Sequence, residues 1–280
     1  MKGIRLRILK DRAFKFAIYL LSLLSLTPLF LIMFYTFRKG LKAINLQFLT
    51  HLPKPVGVEG GGISNAIVGT FLLVTIASAI SIPIGVWAGI YLSENKRSWI
   101  SEFLRITVDI LQAIPSIVIG IIAYLWVVKP MGRFSALSGG IALAIMMLPI
   151  VVRNTEEVLR LIPPYLKEAS LALGVPYHRT IIKVIIPAGI PGIVSGILLG
   201  ISRIAGETAP LLFTAFGNQF MNWNIMKPVN ALPLLIFNYA MSPYDEWKRL
   251  AWGASVVLIL LVLAGNIISR MVAKKWKVQF

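Results

Sequence analysis

Six long apolar segments constrain this chain more than any other feature of its sequence. A helix needs about 20 residues to cross a hydrocarbon core of about 30 Å. Only 14% of the residues are charged, against about a quarter in soluble domains. We therefore predict an all-α, polytopic membrane protein with six transmembrane helices. The predicted spans are residues 16–37, 66–92, 106–128, 136–152, 188–216 and 250–269.

Lysine and arginine are distributed unevenly around these spans. If both termini are cytoplasmic, the four cytoplasmic segments hold 18 of the 28 Lys and Arg residues and the three outer loops hold nine. The positive-inside rule therefore predicts cytoplasmic termini. The net charge of +17 also raises the possibility of nucleic-acid binding. The cations cluster at the ends of spans, however, so we predict contact with anionic lipid headgroups and no nucleic-acid partner.

Enzyme and metal chemistry find little support in the sequence. The chain has no Walker-type phosphate-binding motif, no Gly-x-Ser-x-Gly elbow, no His-Glu-x-x-His motif and no cysteine. Its two histidines, His51 and His178, lie far apart in the chain. We predict no catalytic residue, no metal site and no enzyme activity.

Prolines lie within or at the edges of several spans. Each removes a backbone donor and tends to bend a helix. Bends are therefore predicted at Pro83, Pro115, Pro149, Pro191 and Pro210.

The most informative segment is the predicted cytoplasmic loop 153–187, "RNTEEVLRLIPPYLKEASLALGVPYHRTIIKVIIP". Its first helical pattern, 164–173, begins with proline and ends at Gly174, as helix signals require. Its second, 177–186, is mostly apolar and is predicted to end at Pro187, where the fifth span begins. Two such helices project from the membrane as a surface suited to a groove on another protein. An amphipathic helix resting on the bilayer is the alternative.

This loop resembles the EAA loop of ABC importer permeases. The matching positions are Glu168, Ala169, Gly174 and Pro187, while Ser170, Val184 and Ile186 depart from the pattern and keep its small or apolar character. The resemblance implies the type I ABC importer permease fold, with this loop as the coupling helix that docks into an ATPase subunit. It also implies that ATP and magnesium bind to that partner, and that this chain needs no cofactor.

Other segments narrow the resemblance. The stretches "IPIGVWAGIYLSE", "AIPSIVIGIIAY", "MLPIVVRNTEEVLRLIP" and "SRIAGETAPLLFTA" are similar to the A-type permease subunits of phosphate ABC importers. The similarity implies a transmembrane domain over 63–270 that includes the loop 153–187. Residues 1–62 would form the N-terminal tail, first helix and outer loop, and 271–280 a cytoplasmic tail.

The resemblance implies import of inorganic phosphate by alternating access across the cytoplasmic (inner) membrane of a prokaryote. The implied partners are a sister permease of the C type, a cytoplasmic ATPase dimer and an extracytoplasmic phosphate-binding protein. Two alternatives stay open: a permease for a related oxyanion such as sulfate or molybdate, and a passive anion channel.

Arg203 and Glu207 stand in the middle of the fifth predicted span. An arginine near the bilayer centre costs about 2.5–3.5 kcal/mol. In a continuous helix both would share a face with Gly192, Gly196 and Gly200, and that face would turn towards other helices or a central pathway. Either the two charges form a structural i, i+4 pair, or Arg203 offers its donors to a passing phosphate while Glu207 holds it between passages.

Two further charged positions border the third and fourth spans. Arg153, at the cytoplasmic end of the fourth span, either receives the anion at the exit or anchors the span to headgroups. Asp109 lies four residues after Arg105 and is predicted to form a local ion pair with it.

Overall fold

The computed structural model describes residues 2–58 and 60–275. The secondary structure in these residues is helical, apart from one isolated bridge between Phe216 and Val229. Two π-helical segments, Tyr124–Val128 and Ile181–Ile185, interrupt longer helices. The α-helices are α1 (Lys2–Gly40), α2 (Leu46–Thr50), α3 (Ser64–Glu94), α4 (Trp99–Ala113), α5 (Ser116–Ala123), α6 (Lys129–Met131), α7 (Ala136–Arg160), α8 (Pro164–Ala172), α9 (Tyr177–Thr180), α10 (Ile186–Ile204), α11 (Ala209–Leu212), α12 (Leu232–Ala240) and α13 (Asp245–Lys275).

The number of spans agrees with the six predicted. Among the described residues, five helical segments are long and apolar enough to cross a membrane. A sixth span results if the bent pair formed by 99–113 and 116–131 is counted as one. The all-α, polytopic fold is therefore confirmed.

The third predicted span is not one continuous helix. Its two halves meet at an angle of 106° between Ala113 and Ser116. Ile114 is extended, with φ −70° and ψ 128°, because the ring of Pro115 disfavours the helical conformation of the residue before it. Pro115 also lacks the N–H that would continue the helical hydrogen bonds. The prediction of a bend at Pro115 is right, and the bend divides the predicted span 106–128 into two helices.

Two span boundaries also differ from the prediction. Helix α7 continues to Arg160, eight residues beyond the predicted end at 152, because its polar residues form ion pairs with neighbouring side chains. Helix α10 ends at Ile204, well before the predicted 216. Gly206 lies in the turn that follows, and Pro210 is at the start of the short helix α11, where it lacks the N–H to continue a preceding helix.

The second predicted loop helix does not end at Pro187. The chain is helical without a break from Tyr177 to Ile204. In a regular α-helix the ring of Pro187 would clash with the carbonyl four residues earlier, at Lys183. The π-helical segment Ile181–Ile185 contains that carbonyl and widens the turn there.

Helix α7 lies at the centre of the bundle. Of its most apolar window, 67% is buried, against at most 28% for the other four candidate spans. Glycines on two neighbours let their backbones approach it closely. On α3, a Cβ added to Gly85 would meet Val151, and one added to Gly89 would meet Thr155. On α10, the same holds for the pairs Gly192 and Val158, Gly196 and Asn154, and Gly200 and Met147.

Replacing Gly89 with alanine should therefore destabilise the bundle. The added Cβ would lie 2.5 Å from Cβ of Thr155 and 2.8 Å from the carbonyl oxygen of Val152. Overpacking of this kind costs about 1–3 kcal/mol. We expect the Gly89→Ala chain to unfold at a lower temperature than the parent in detergent micelles. The matched control is Gly265→Ala in α13, where nothing lies within 4 Å; equal unfolding temperatures for both variants would contradict the close packing.

Candidate substrate pathway and coupling loop

A cavity of about 700 Å³ lies between the α4–α5 bend, α7 and the end of α10. Arg153, Arg203 and Glu207, the three residues predicted to lie on a substrate pathway, all line it. Gln112 and Asn154 add polar side chains to its wall. The structure thus brings Arg153 to the same cavity as Arg203 and Glu207, which lie 50 and 54 positions further along the sequence. The roles of all three on a pathway stay predictions.

Arg203 and Glu207 form a loose pair. Arg203 Nε lies 3.7 Å from Glu207 Oε1, beyond hydrogen-bond distance, and the side chain of Arg203 is 59% exposed. The prediction that both residues belong to one helix is wrong, because α10 ends at Ile204 and Glu207 lies just after the turn that follows it. The turn nevertheless carries the carboxylate back towards the guanidinium. Arg203 therefore keeps most of its donors available to the cavity.

Arg153 is held more firmly. Its Nη2 donates to Asp109 Oδ1 of α4, and its Nη1 lies 3.4 Å from Glu156 Oε2. The predicted pairing of Asp109 with Arg105 is therefore wrong. Arg105 instead donates from Nε to Glu156 Oε1 at 2.8 Å. The exchange of partners follows from the packing of α4 against α7, which local spacing in the sequence does not reveal.

Glu156 is the centre of a charge cluster that the sequence reasoning missed. Its side chain is 1% exposed, and it accepts contacts from Arg105, Arg153 and Arg160, the last at 2.6 Å. The spacing of Arg153 and Arg160, three residues before and four residues after Glu156, is the sequence signal that could have revealed the cluster. Arg105 also donates to the carbonyl oxygens of Leu92 and Lys96, at 2.9 and 3.1 Å, and so joins the end of α3 to the cluster.

The two pathway arginines occupy different depths. Helices α7 and α10 run antiparallel, with Gly196 opposite Asn154 and Gly200 opposite Met147. At 1.5 Å per residue, Arg203 lies about 10 Å from the level of Arg153 along the helix axes. One cavity therefore presents a weakly paired cation at one depth and a strongly paired cation at another.

The coupling loop, residues 161–187, has the turn predicted from its sequence. Gly174 adopts φ +76°, a left-handed conformation that suits glycine, and its N–H donates to the carbonyl of Leu171 at 2.9 Å. Ser170 is buried, and its hydroxyl lies 2.9 Å from that of Thr180, which fixes α8 against α9. A small residue at position 170 therefore serves the packing of the loop.

The outward surface of the coupling loop is apolar as well as charged. Glu168, Ala169 and Pro187 are exposed. Leu161 and Leu173 are 82% and 83% exposed, and the sequence did not single them out. These two leucines therefore add apolar area to the surface of the loop that carries Glu168 and Ala169.

Lys167 turns inward to the end of α3. It forms an ion pair with Glu94 and donates to the hydroxyl of Tyr177 at 3.2 Å. Burial lowers the pKa of Lys167, but the hydrogen bonds to Glu94 and Tyr177 and the charge of Glu94 outweigh it, so the pKa is raised. The lysine is therefore charged throughout the neutral range, and the contact persists there.

Removing the carboxylate of Glu156 should leave three arginines without their buried partner. Breaking a buried ion pair from one side costs about 3–5 kcal/mol. We expect Glu156→Ala to lower the thermal stability of the purified chain sharply and to reduce its folded yield. The adjacent Glu157→Ala is the control, since Glu157 is exposed. A Glu156→Ala chain as stable as Glu157→Ala would contradict the assigned role of the cluster.

Comparison with known proteins identifies the family of this chain. Residues 81–278 match the family model of binding-protein-dependent transport system inner membrane components. The chain is 46% identical over 247 residues to the phosphate transport system permease protein PstA of Yersinia pestis, covering 88% of this chain and 84% of that protein. It is 40% identical over 260 residues to the probable PstA protein of Methanocaldococcus jannaschii, covering 92% of each.

Among solved structures, the chain resembles the inward-facing MetNI methionine ABC transporter, with a TM-score of 0.62 and 20% identity. The match covers 77% of this chain and 94% of that one. An amino acid ABC transporter also matches, with a TM-score of 0.57, 16% identity and coverage of 76% and 93%. These likenesses show the fold of the type I ABC importer permeases.

The bundle and its projecting loop thus define a multi-pass, inner-membrane permease subunit of an ABC importer. The chain belongs to the family of binding-protein-dependent transport system inner membrane components, and its relatives within that family include the PstA permeases. ATPase and binding-protein partners are general to this family.

Proposed function

We propose that the chain is a membrane-spanning subunit of an ATP-driven importer and that it translocates inorganic phosphate through the cavity between α4, α7 and α10. Relatives 40–46% identical over most of the chain are named as permeases of phosphate transport systems. The observation that carries the proposal is the position of Arg153 and Arg203 on the wall of one cavity. A volume of about 700 Å³ leaves ample room for an oxyanion with its water.

The chemistry of the two arginines suits stepwise transfer of phosphate. Arg203 presents a planar fork of donors that matches phosphate geometry, and its contact with Glu207 is long enough to be displaced. Arg153 is held by Asp109 and Glu156, so an anion reaching it must compete with two carboxylates. Phosphate would therefore meet Arg203 readily and then pass Arg153 without becoming trapped there.

Glu207 gives the site a means of selecting hydrogen phosphate over sulfate. Hydrogen phosphate carries an OH group that can donate a hydrogen bond to a carboxylate, whereas sulfate carries no OH group at neutral pH. A site built around such a bond rejects the analogue lacking it, because a buried acceptor is then left without a donor. The side chain of Glu207 is only 20% exposed, which makes that loss costly.

Exposure of Arg203 supports a second permease subunit. A lipid-facing arginine at this depth costs about 2.5–3.5 kcal/mol. Since the chain alone leaves 59% of the Arg203 side chain uncovered, a sister subunit of the C type would close the cavity. The pathway would then lie between the two permeases.

The remaining partners follow from the coupling loop and the charge distribution. With both termini cytoplasmic, the coupling loop faces the cytoplasm and offers Glu168, Leu161 and Leu173 to an ATPase dimer. ATP and magnesium would bind in that dimer, so this chain would need no cofactor and carry no enzyme activity of its own. An extracytoplasmic phosphate-binding protein would deliver the anion, and closure of the ATPase dimer would drive alternating access.

Arg203→Gln should abolish most phosphate uptake while leaving the complex assembled. A hydrogen bond to a charged group contributes about 1.5–3 kcal/mol, which corresponds to a loss of about tenfold or more. The measurement is ATP-dependent uptake of radiolabelled phosphate by proteoliposomes containing the complex. Arg203→Lys should recover only part of the activity, since an ammonium lacks the planar fork. Arg12→Gln, at an exposed position of α1, is the control. Undiminished uptake by Arg203→Gln would mean that the pair of Arg203 and Glu207 has a structural role only.

Glu207→Gln should relax selectivity. The amide offers an N–H donor to sulfate, so we expect sulfate to compete with phosphate uptake about tenfold more effectively than in the parent. The measurement is the sulfate concentration that halves phosphate uptake in the same proteoliposomes. A variant that transports phosphate normally and still excludes sulfate would remove Glu207 from the selectivity mechanism.

A further inference from the structure

The end of α3 is joined to the coupling loop through one carboxylate. Glu94, the last residue of α3, accepts from Lys167 of α8 and from the hydroxyl of Tyr177 in α9. Across residues 2–58 and 60–275, these are the side-chain hydrogen bonds and ion pairs that link the coupling loop to the membrane spans. The three residues also contact one another, with Lys167 Nζ 4.6 Å from the centre of the Tyr177 ring. We call Glu94, Lys167 and Tyr177 the loop clamp.

The loop clamp differs in kind from the apolar contacts around it. Ile181 and Ile185 of the coupling loop belong to an apolar cluster that also includes Ile90 of α3. Apolar burial is non-directional, so such a surface permits sliding. The ion pair and hydrogen bonds of the clamp depend on distance and angle, and the side chain of Glu94 is only 15% exposed. The clamp therefore fixes where the loop sits on the end of α3.

A displacement of α3 must in turn move α7. Gly85 and Gly89 place the α3 backbone directly against Val151 and Thr155. Between those two residues, α7 carries Arg153 and Asn154, which line the cavity. Interiors packed this closely transmit displacement because they leave little free volume to absorb it. A continuous set of contacts thus leads from the coupling loop to the cavity wall.

We propose that Glu94 is a positioning residue that converts displacement of the coupling loop into movement of α3 and α7, and so couples ATP hydrolysis by the partner to opening of the cavity. This inference rests on the proposed function. Glu94 does not line the cavity, and its side chain is only 15% exposed. Its effect is therefore on coupling and not on the binding of phosphate or of the ATPase.

The test compares phosphate uptake with ATP hydrolysis in the same proteoliposomes. Glu94→Ala removes both contacts of the clamp. We expect hydrolysis within about twofold of the parent and phosphate taken up per ATP hydrolysed to fall about tenfold, a typical size for coupling between sites. Glu102→Ala is the matched control, because Glu102 is exposed and lies near the same end of the bundle.

Exchanging the charges of Glu94 and Lys167 distinguishes a coupling role of this ion pair from a merely structural one. Glu94→Lys alone places two ammonium groups together and should uncouple at least as strongly as Glu94→Ala. Combining it with Lys167→Glu restores the ion pair in reverse, and we expect the ratio of uptake to hydrolysis to recover by at least about fivefold.

Each failure has a distinct meaning. A parent complex that shows no ATP-dependent phosphate uptake would overturn the proposed function. If the parent complex transports phosphate, three results would overturn the role of Glu94 and leave the proposed function standing. They are an unchanged uptake-to-hydrolysis ratio in Glu94→Ala, an equal loss of uptake and hydrolysis, or failure of the Glu94→Ala complex to assemble. Absence of recovery in the charge-exchanged pair would also contradict it.

Discussion

The close approach of two glycine-bearing helices to α7 determines most of the architecture. Gly85 and Gly89 on one side, and Gly192, Gly196 and Gly200 on the other, bring backbones into contact with α7 side chains. In lipid such packing supplies what the hydrophobic effect supplies in water. Because α7 is held from both sides, the polar residues on its C-terminal half occupy fixed positions. The cavity lies beside the bend between α4 and α5, and Ile114, Pro115 and Ser116 at that bend line it.

The arginines in this helix bundle fall into two groups that differ in how firmly they are paired. Around Glu156, three arginines share one buried carboxylate, and Asp109 supplies a second acceptor to Arg153. That cluster fixes α3, α4 and α7 to one another near the coupling loop. Arg203 has only a distant contact with Glu207 and remains largely exposed. A firmly paired cation suits a structural or exit position, whereas a loosely paired one suits first contact with an anion.

The sequence allowed the prediction of features that depend on local spacing. The six spans, the turn at Gly174 and the bend at Pro115 follow from hydropathy and backbone chemistry. Arg153, Arg203 and Glu207, which the sequence singled out, line one cavity, and their role on a pathway stays a prediction. The errors concern tertiary contacts. Asp109 pairs with a residue 44 positions away and Arg105 with one 51 positions away, so i, i+4 reasoning gave the wrong partners. The extension of α7 to Arg160 depends on those same contacts, and so could not be predicted from local hydropathy.

If phosphate passes through the cavity, it should protect a residue on the cavity wall from chemical labelling. The chain has no cysteine, so a single cysteine at Ser116, on the cavity wall, reports labelling at that site without background from this subunit. The measurement is the rate at which a negatively charged thiol reagent labels Ser116→Cys in the assembled complex in nanodiscs, with Glu102→Cys as the reference position. We expect phosphate to slow labelling at position 116, sulfate to do so far less, and neither anion to affect labelling at position 102. Equal labelling of Ser116→Cys with and without phosphate would contradict a pathway through this cavity.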